Sequence, residues 1–436
     1  MSQARFLVGD VFDRLADLSD GSVDLVLTSP PFLALRSYLP ADHPDKAKEI
    51  GSEPTPAAFL DTLLHLTAEW RRVLAPHGSI AVELGDTYAG SGGAGGDYGK
   101  GGWREGQEHF EGSSSKHRRV HDPAVGPPIR TASVKTVDAH GAGWPLDKSL
   151  CGIPHLYHLS LAYGRNLLTG EPSPAGQWRV RNVVAWCRPN PPVGALGDKF
   201  RPATSYMTIA TPYRQRYFDL DAVRTVNNPD RIGSPAMSNR AAREAGPEEK
   251  FTAANGRGDG EQHPGGAPPL DWWEIATEPY QGTHYATWPS SLCVRPIKAM
   301  CPQRVCRECG KPSARIVDAR RIAEKDDSTR TKQGGPLARS LDRLPEVGWE
   351  YERTTLGWTD CGHDNWRNGI VLDPFAGSGT TLAVAVGHGR DAIGIDLDER
   401  NAELARERVG MFLEVEYDRP LPTDTPDVGD WTEGAA

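Results

Sequence analysis

Asp373-Pro374-Phe375-Ala376-Gly377-Ser378-Gly379-Thr380-Thr381 decides the fold, because of what stands on either side of it. Ile370 to Leu372 reads as a short buried strand and Thr380 to Val386 as a helix. Asp391 to Ile395 is a second strand and Glu399 to Val409 a second helix. A strand, a glycine-rich turn and a helix aim backbone N–H groups and a positive helix end at one spot. Gly377 and Gly379 let the backbone come close to a ligand there. The same alternation recurs near the start of the chain. Arg5 to Val8 is a strand ending at Gly9-Asp10, followed by a helix with Val11, Phe12, Leu15 and Leu18 on one face. Val23 to Leu27 is a strand that runs straight into Thr28-Ser29-Pro30-Pro31-Phe32. Thr55-Pro56 opens a helix whose Phe59, Leu63, Leu66, Trp70 and Leu74 recur at helical spacing until Pro76-His77-Gly78, and Ser79 to Leu84 is a third strand. Strands alternating with helices predict an α/β fold with a doubly wound, mostly parallel sheet.

The 436 residues suffice for one large core or two domains. Between the two ordered ends lies a long irregular stretch. Gly90 to Gly102 is glycine-rich, Glu111 to Gly143 polar, and Asn227 to Pro269 poor in apolar residues. Within it Val180 to Trp186 and Tyr206 to Ala210 read as strands, and there is no internal repeat. No apolar run approaches the roughly 20 residues that span a bilayer, and the N-terminus lacks a signal peptide's apolar stretch. These features predict a cytoplasmic protein with no membrane partner. Seven cysteines, an odd number clustered late in the chain, argue against a disulfide framework. The net charge is -9, and from Glu414 onward seven acids face one base, so the end of the chain supplies most of the excess.

Two loops carry chemistry. In dinucleotide-binding folds a glycine-rich turn holds phosphate, and an acid ending the next strand holds ribose, the place of Asp396. A nicotinamide (NAD)-dependent oxidoreductase is therefore one reading. Against it, Asp373 would repel a pyrophosphate but suits a cationic amino-acid group, and the Gly-x-Gly-x-x-Gly spacing is missing. The other loop suits a poorly nucleophilic exocyclic amine, whose lone pair is delocalised into its ring. Acceptors aimed at both amine protons draw the nitrogen toward a tetrahedral shape. Ser29 offers a hydroxyl oxygen and Pro30 a carbonyl, while Pro30-Pro31 fixes φ and removes N–H donors. Phe32 supplies a ring on which an extruded base can stack. No strong general base is required, because the amine becomes acidic as the new bond forms.

The two loops in this order resemble those of the β group of DNA amino-methyltransferases, circularly permuted so that the amine loop comes first and the S-adenosylmethionine loop last. The resemblance spans nearly the whole length. Phe6-Leu7-Val8-Gly9-Asp10, Gly85-Asp86-Thr87-Tyr88-Ala89-Gly90, Trp186-Cys187-Arg188-Pro189-Asn190-Pro191 and His284-Tyr285-Ala286-Thr287-Trp288-Pro289 are similar to segments of that family. It implies catalytic roles for Ser29, Pro30, Pro31 and Phe32. It implies cofactor binding by Asp10, His284, Thr287, Asp373, Phe375, Ala376, Gly377, Ser378, Gly379, Thr380, Thr381 and Asp396. The implied architecture places a catalytic half at 1–90 and a target-recognition insertion at 91–280, with sheet-completing strands near 180–220. The cofactor half comprises 281–300 and 369–412, a Cys/His insertion occupies 301–368, and an acidic tail runs over 413–436. The implied activity is site-specific methyl transfer to a flipped base in double-stranded DNA. Serine in the amine loop favours the N4 amine of cytosine, with adenine N6 as the alternative and a catalytically inactive DNA-binding relative as a remoter one. Beside such a site, Lys116, Arg118, Arg119, Arg130, Arg201, Arg214, Arg216 and Arg224 suit DNA phosphates. A cognate restriction endonuclease is an expected partner.

Cys306-x-x-Cys309-Gly and Cys361-Gly-His363 bracket the polar insertion. Two such pairs can complete a tetrahedral site for one structural zinc, with Cys301 as the substitute ligand.

Overall fold

The described residues of the computed structural model are 2–35, 38–40, 42–89, 143–191, 199–225, 268–278, 288–324 and 349–418. They fall into two compact units, one of 1–217, 271–301 and 368–436, the other of 218–270 and 302–367.

The first unit holds strands β1 (Ala4–Val8), β2 (Val23–Thr28), β3 (Leu74–Leu84), β4 (Arg179–Cys187), β5 (Thr204–Thr211) and β6 (Trp272–Glu274). Its helices are α1 (Val11–Ala16), α2 (Pro56–Val73), α3 (Ile153–Tyr163) and α4 (Ser290–Met300). In the second unit are the short β7 (Arg304–Cys306), paired with β10 (Trp366–Asn368) at the unit's edge, and an antiparallel hairpin of β8 (Arg315–Glu324) and β9 (Trp349–Trp358). The chain then returns to the first unit as β11 (Ile370–Asp373), α5 (Thr380–Gly387), β12 (Asp391–Asp396), α6 (Arg400–Val409) and β13 (Leu413–Tyr417).

Among the described residues, nine strands form one sheet in the order β13-β1-β12-β11-β2-β3-β5-β4-β6. Only β5 runs against the others. β2 is buried along its whole length and β3 from Gly78 to Leu84, as their mostly apolar runs require of a sheet covered on both faces. α2 is started by the Thr55 hydroxyl, which accepts from Ala58 N at 3.2 Å, and by Pro56 in its first turn. It buries Phe59, Leu63, Leu66 and Trp70 completely. That apolar stripe is what fixes α2 on the sheet.

Several expectations need correction. Val11 and Leu15 share the buried face of α1, but in so short a helix Phe12 falls beside that face and is 36% exposed, and Leu18 lies past its end. Pro76-His77-Gly78 does not separate α2 from β3. The helix stops at Val73 and the strand begins at Leu74, bulging where the pairing jumps from Val23/Leu74 to Leu25/Ser79. Buried Asp24 holds that bulge through His77 Nε2 at 2.8 Å. The insertion also contains α3, which Pro154 in its first turn and a left-handed Gly164 at its end delimit. Residues 413–417, expected to open an acidic tail, pair with β1, and Glu416 accepts from Arg5 at 2.8 Å. Leu413, Val415 and Tyr417 alternate with acids on this edge strand, so the charges protect an edge rather than mark a tail.

Candidate active site

The carboxyl ends of β2 and β11 lie side by side, since Leu25 and Val26 pair with Val371 and Leu372. From there β2 is flanked by β3 and β11 by β12, on opposite sides. A crevice at such a switch point is where open α/β sheets bind ligands. A cleft of about 950 Å³, its open mouth included, occupies this place.

Asp10, Ser29, Pro31, Asp373, Phe375, Ala376, Gly377, Ser378, Thr380 and Asp396 all line it. Of the other residues expected here, Thr381 is buried and donates to Asp373, and Gly379 caps α5 with φ 75. Pro30 is buried, while the Phe32 ring lies against the backbone of Gly85, where an added Cβ would stand 2.5 Å from it. His284 and Thr287 lie outside the described residues, as do Lys116, Arg118, Arg119 and Arg130. Trp288, Tyr38, Lys48 and Asn401 line the cleft as well. Trp288 belongs to the His284–Pro289 segment, whereas the lone positions of Tyr38, Lys48 and Asn401 in the sequence carry no motif that would have singled them out.

The two loops are tied together. Thr28 Oγ1 donates to Asp373 Oδ1 at 2.6 Å, Thr381 Oγ1 to Oδ2 at 2.5 Å, and Phe375 N–H to Oδ1 at 3.2 Å. Burial nevertheless pushes the Asp373 carboxyl up to about 6, with these donors opposing the shift. Asp396 behaves alike. It accepts from Gly377 N, Asp398 N and Asn401 Nδ2 at 2.8–3.0 Å, and burial raises it to about 6. Its bond to Gly377 N–H makes it a latch on the glycine loop. Asp10 caps α1, accepting from Phe12 N at 2.9 Å and Asp13 N at 3.3 Å.

Glu83 is the residue that sequence reasoning missed. Thr28 pairs with Val82 across β2 and β3, so the next residues on each strand, Ser29 and Glu83, meet. The Ser29 hydroxyl donates to Glu83 Oε2 at 2.6 Å. Burial holds the Glu83 carboxyl above the usual glutamate range, opposed by Ser205, Ser29 and the charge of Arg188. Ser205 stands near this carboxylate, and Glu83 Oε1, Ser205 Oγ and Arg188 Nε are buried polar atoms with no hydrogen-bond partner among the described residues. Arg188 lies over the Trp186 ring at 5.1 Å, and burial lowers its pKa. A signal for Glu83 did exist: an acid within Ser79-Ile80-Ala81-Val82-Glu83-Leu84 has no solvated place in a buried strand.

A doubly wound sheet with the Ser-Pro-Pro loop and the glycine loop at one switch point defines a ligand-binding protein of the α/β class. The comparisons carry the reading further. The profile of the N6/N4 family, described as DNA methylase, matches residues 23–305 and 363–407, and the chain belongs to that family. Type II methyltransferase M.SmaI of Serratia marcescens is 21% identical over 409 residues, covering 94% of this chain and 91% of that protein. Type II methyltransferase M.Cfr9I of Citrobacter freundii is 24% identical over 296 residues, 68% of this chain and 72% of that one. Among solved structures, the cytosine-N4-specific PvuII DNA methyltransferase is 12% identical with a TM-score of 0.43, over 93% of this chain and 86% of that one. The protein is thus a DNA amino-methyltransferase, which sets aside the nicotinamide reading. Among the described residues no helix is long and apolar enough to cross a membrane.

Proposed function

We propose that the enzyme methylates the exocyclic N4 amine of cytosine at specific sites in double-stranded DNA, using S-adenosylmethionine bound in the cleft. The observation that carries this is the 2.6 Å bond from Ser29 to Glu83. The single hydroxyl proton of Ser29 is spent on Glu83, so the lone pairs of its oxygen are left to accept from an incoming amine. Ser29 thus acts as an acceptor backed by a buried carboxylate, and the Pro30 carbonyl can take the second amine proton. Drawing both protons toward oxygen localises the nitrogen lone pair, and Glu83 compensates the positive charge that grows on the nitrogen. The proton released from the amine passes toward the Ser29–Glu83 pair or to water.

The cofactor fits the cleft on its chemistry. The buried Ser378 hydroxyl has no partner among the described residues, Gly377 lines the cleft beside it, and Asp373 suits a cationic amino group. When bound, S-adenosylmethionine supplies an electrophilic methyl sulfonium. Asp396 keeps Gly377 in place and retains acceptor capacity for a ribose hydroxyl, while Asp10 and Asn401 line the same cleft. His284 and Thr287 are assigned to the methionine end by resemblance, and Phe32 to stacking on the base.

Serine rather than an acid at position 29 supports cytosine over adenine. The relatives' designation as Type II methyltransferases supports a paired restriction endonuclease and a cytoplasmic setting. Ser29, Asp373 and Asp396 in place support an active enzyme over a binding-only relative, and calorimetry with S-adenosylmethionine checks that separately. DNA incubated with enzyme and cofactor, then digested to nucleosides, should contain N4-methylcytosine. Only N6-methyladenine would overturn the choice of base.

A further inference from the structure

We propose that Cys306, Cys309, Cys361 and His363 bind one structural zinc ion at the root of the β8–β9 hairpin. Their ligand atoms all lie within 4.8 Å of one another. His363 Nδ1 is 3.4 Å from Cys306 Sγ and 3.5 Å from Cys361 Sγ. A tetrahedral zinc with Zn–S of about 2.3 Å and Zn–N of about 2.0–2.1 Å sets sulfur and nitrogen roughly 3.5 Å apart. The side chains are therefore spaced as ligands around a common centre.

The backbone is shaped for this. Cys306 N–H donates to Lys311 O and Gly310 N–H to Cys306 O, both at 3.0 Å, closing a turn in which Gly310 takes φ 67. That turn faces the N–H groups of Glu308 and Cys309 toward the Cys306 sulfur. On the other segment Gly362 turns with φ 84 and donates to Asp360 Oδ1 at 2.7 Å, bringing Cys361 and His363 to one side. Arg307 N–H to Asn365 O, Thr359 N–H to Ala314 O and Ser313 Oγ to Thr359 O, all at 2.7–2.8 Å, join the two segments.

The unit also needs such a tie. Among its described residues the buried apolar side chains are Pro302, Val305 and Cys306, too few to hold two segments separated by a long hairpin. Three soft thiolates and an imidazole in a closed four-ligand set select zinc over magnesium or calcium, and leave no position for a reacting water. Cys301, weighed as a substitute ligand, is buried in the first unit at the end of α4 and is outside the cluster.

Full-length protein purified without chelator should carry close to one zinc per chain, released to a metallochromic dye when the thiols are alkylated. Cys306→Ser and His363→Ala should each lower both zinc content and Tm. His363→Cys, which restores a fourth ligand, should keep the metal, as should the control Cys187→Ser. Cobalt exchanged into the wild-type protein should show the intense visible bands of tetrahedral thiolate coordination, a readout that survives if Cys306→Ser does not fold. Zinc-free protein with a Tm indifferent to added zinc and to chelator would overturn the proposal. So would zinc retained in full by both Cys306→Ser and His363→Ala, or a disulfide joining any two of the three cysteines in freshly purified protein.

Discussion

Replacing Glu83 with glutamine isolates the charge behind Ser29 while keeping the size and an acceptor oxygen. Glu83 lies in the sheet, fully enclosed, and takes one short bond from the Ser29 hydroxyl at 2.6 Å. A hydrogen bond to an ionised group contributes about 1.5–3 kcal/mol, against about 0.5–1.5 kcal/mol for a neutral one. Exchanging one for the other therefore costs on the order of 1 kcal/mol before catalysis is considered. The cost grows in the transition state, where positive charge develops on the amine. Loss of one preorganised group at such a place typically lowers kcat by about 10²–10³. Glu83→Gln should thus reduce kcat by between about 10-fold and 10³-fold, with the Kd for S-adenosylmethionine nearly unchanged. Single-turnover transfer of labelled methyl to DNA measures the first and calorimetry the second. Because Glu83 acts through Ser29, the Ser29→Ala/Glu83→Gln double variant should be no slower than the slower single one. The pH profile adds an independent check. Burial raises the Glu83 pKa, and the carboxylate is the working form, so wild-type kcat should fall as pH drops through a point above the usual glutamate range. The glutamine variant should lack that limb. A kcat within about threefold of wild type, or costs that add in the double variant, would refute the relay from Glu83 to Ser29.

The cofactor side has its own pH dependence. Asp373 and Asp396 are each raised by burial from 3.8 to about 6, and a cationic ligand favours their ionised forms. Binding of S-adenosylmethionine should therefore weaken as pH falls through about 6 and release protons in that range, and a Kd that stays flat from pH 7.5 to pH 5 by calorimetry contradicts this assignment. Gly85→Ala should act on the base pocket alone. Its Cβ would stand 2.5 Å from the Phe32 ring and force that ring aside, overpacking of a kind that costs about 1–3 kcal/mol. Methyl-transfer assays should show a higher KM for DNA and a lower kcat with cofactor Kd preserved, and an unchanged KM would mean that Phe32 does not contact the base.

The parts of the fold that were legible are those where one periodicity prevailed. β1, β2, α2, β11 and β12 read out within a residue or two, because apolar runs and capping residues agreed on their limits. β13 was obscured because its acids outweigh Leu413, Val415 and Tyr417, and only pairing with β1 makes a strand of them. The β8–β9 hairpin was hidden in a segment whose polar composition suggested no regular element. In the site, the glycine loop and the Ser-Pro-Pro loop carry local signatures, whereas Ser205 does not and Glu83 shows only as an acid inside an apolar strand. Glu83 and Ser205 sit on β3 and β5, Arg188 lies just past the end of β4, and Glu83 reaches Ser29 through sheet register. Register is a property of pairing between distant segments, which no single segment displays.

The same dependence on pairing explains why the order of the two loops along the chain is immaterial to the site. Thr28 and Asp373 are 345 residues apart, yet one 2.6 Å hydrogen bond joins them because β2 and β11 are neighbours in the sheet. The bond has a functional consequence. Asp373, on the cofactor side, has its orientation set by Thr28 from the amine loop and by Thr381 from α5. Ser29, the next residue after Thr28, has its orientation set by Glu83 from β3. Under the proposed function, donor and acceptor ends of the reaction are positioned from one short segment, Thr28-Ser29, with a buried carboxylate on each side of it. In-line transfer needs the amine and the methyl group held within a few tenths of an ångström of the productive geometry. Anchoring both to consecutive residues at the end of a central, fully buried strand serves that need.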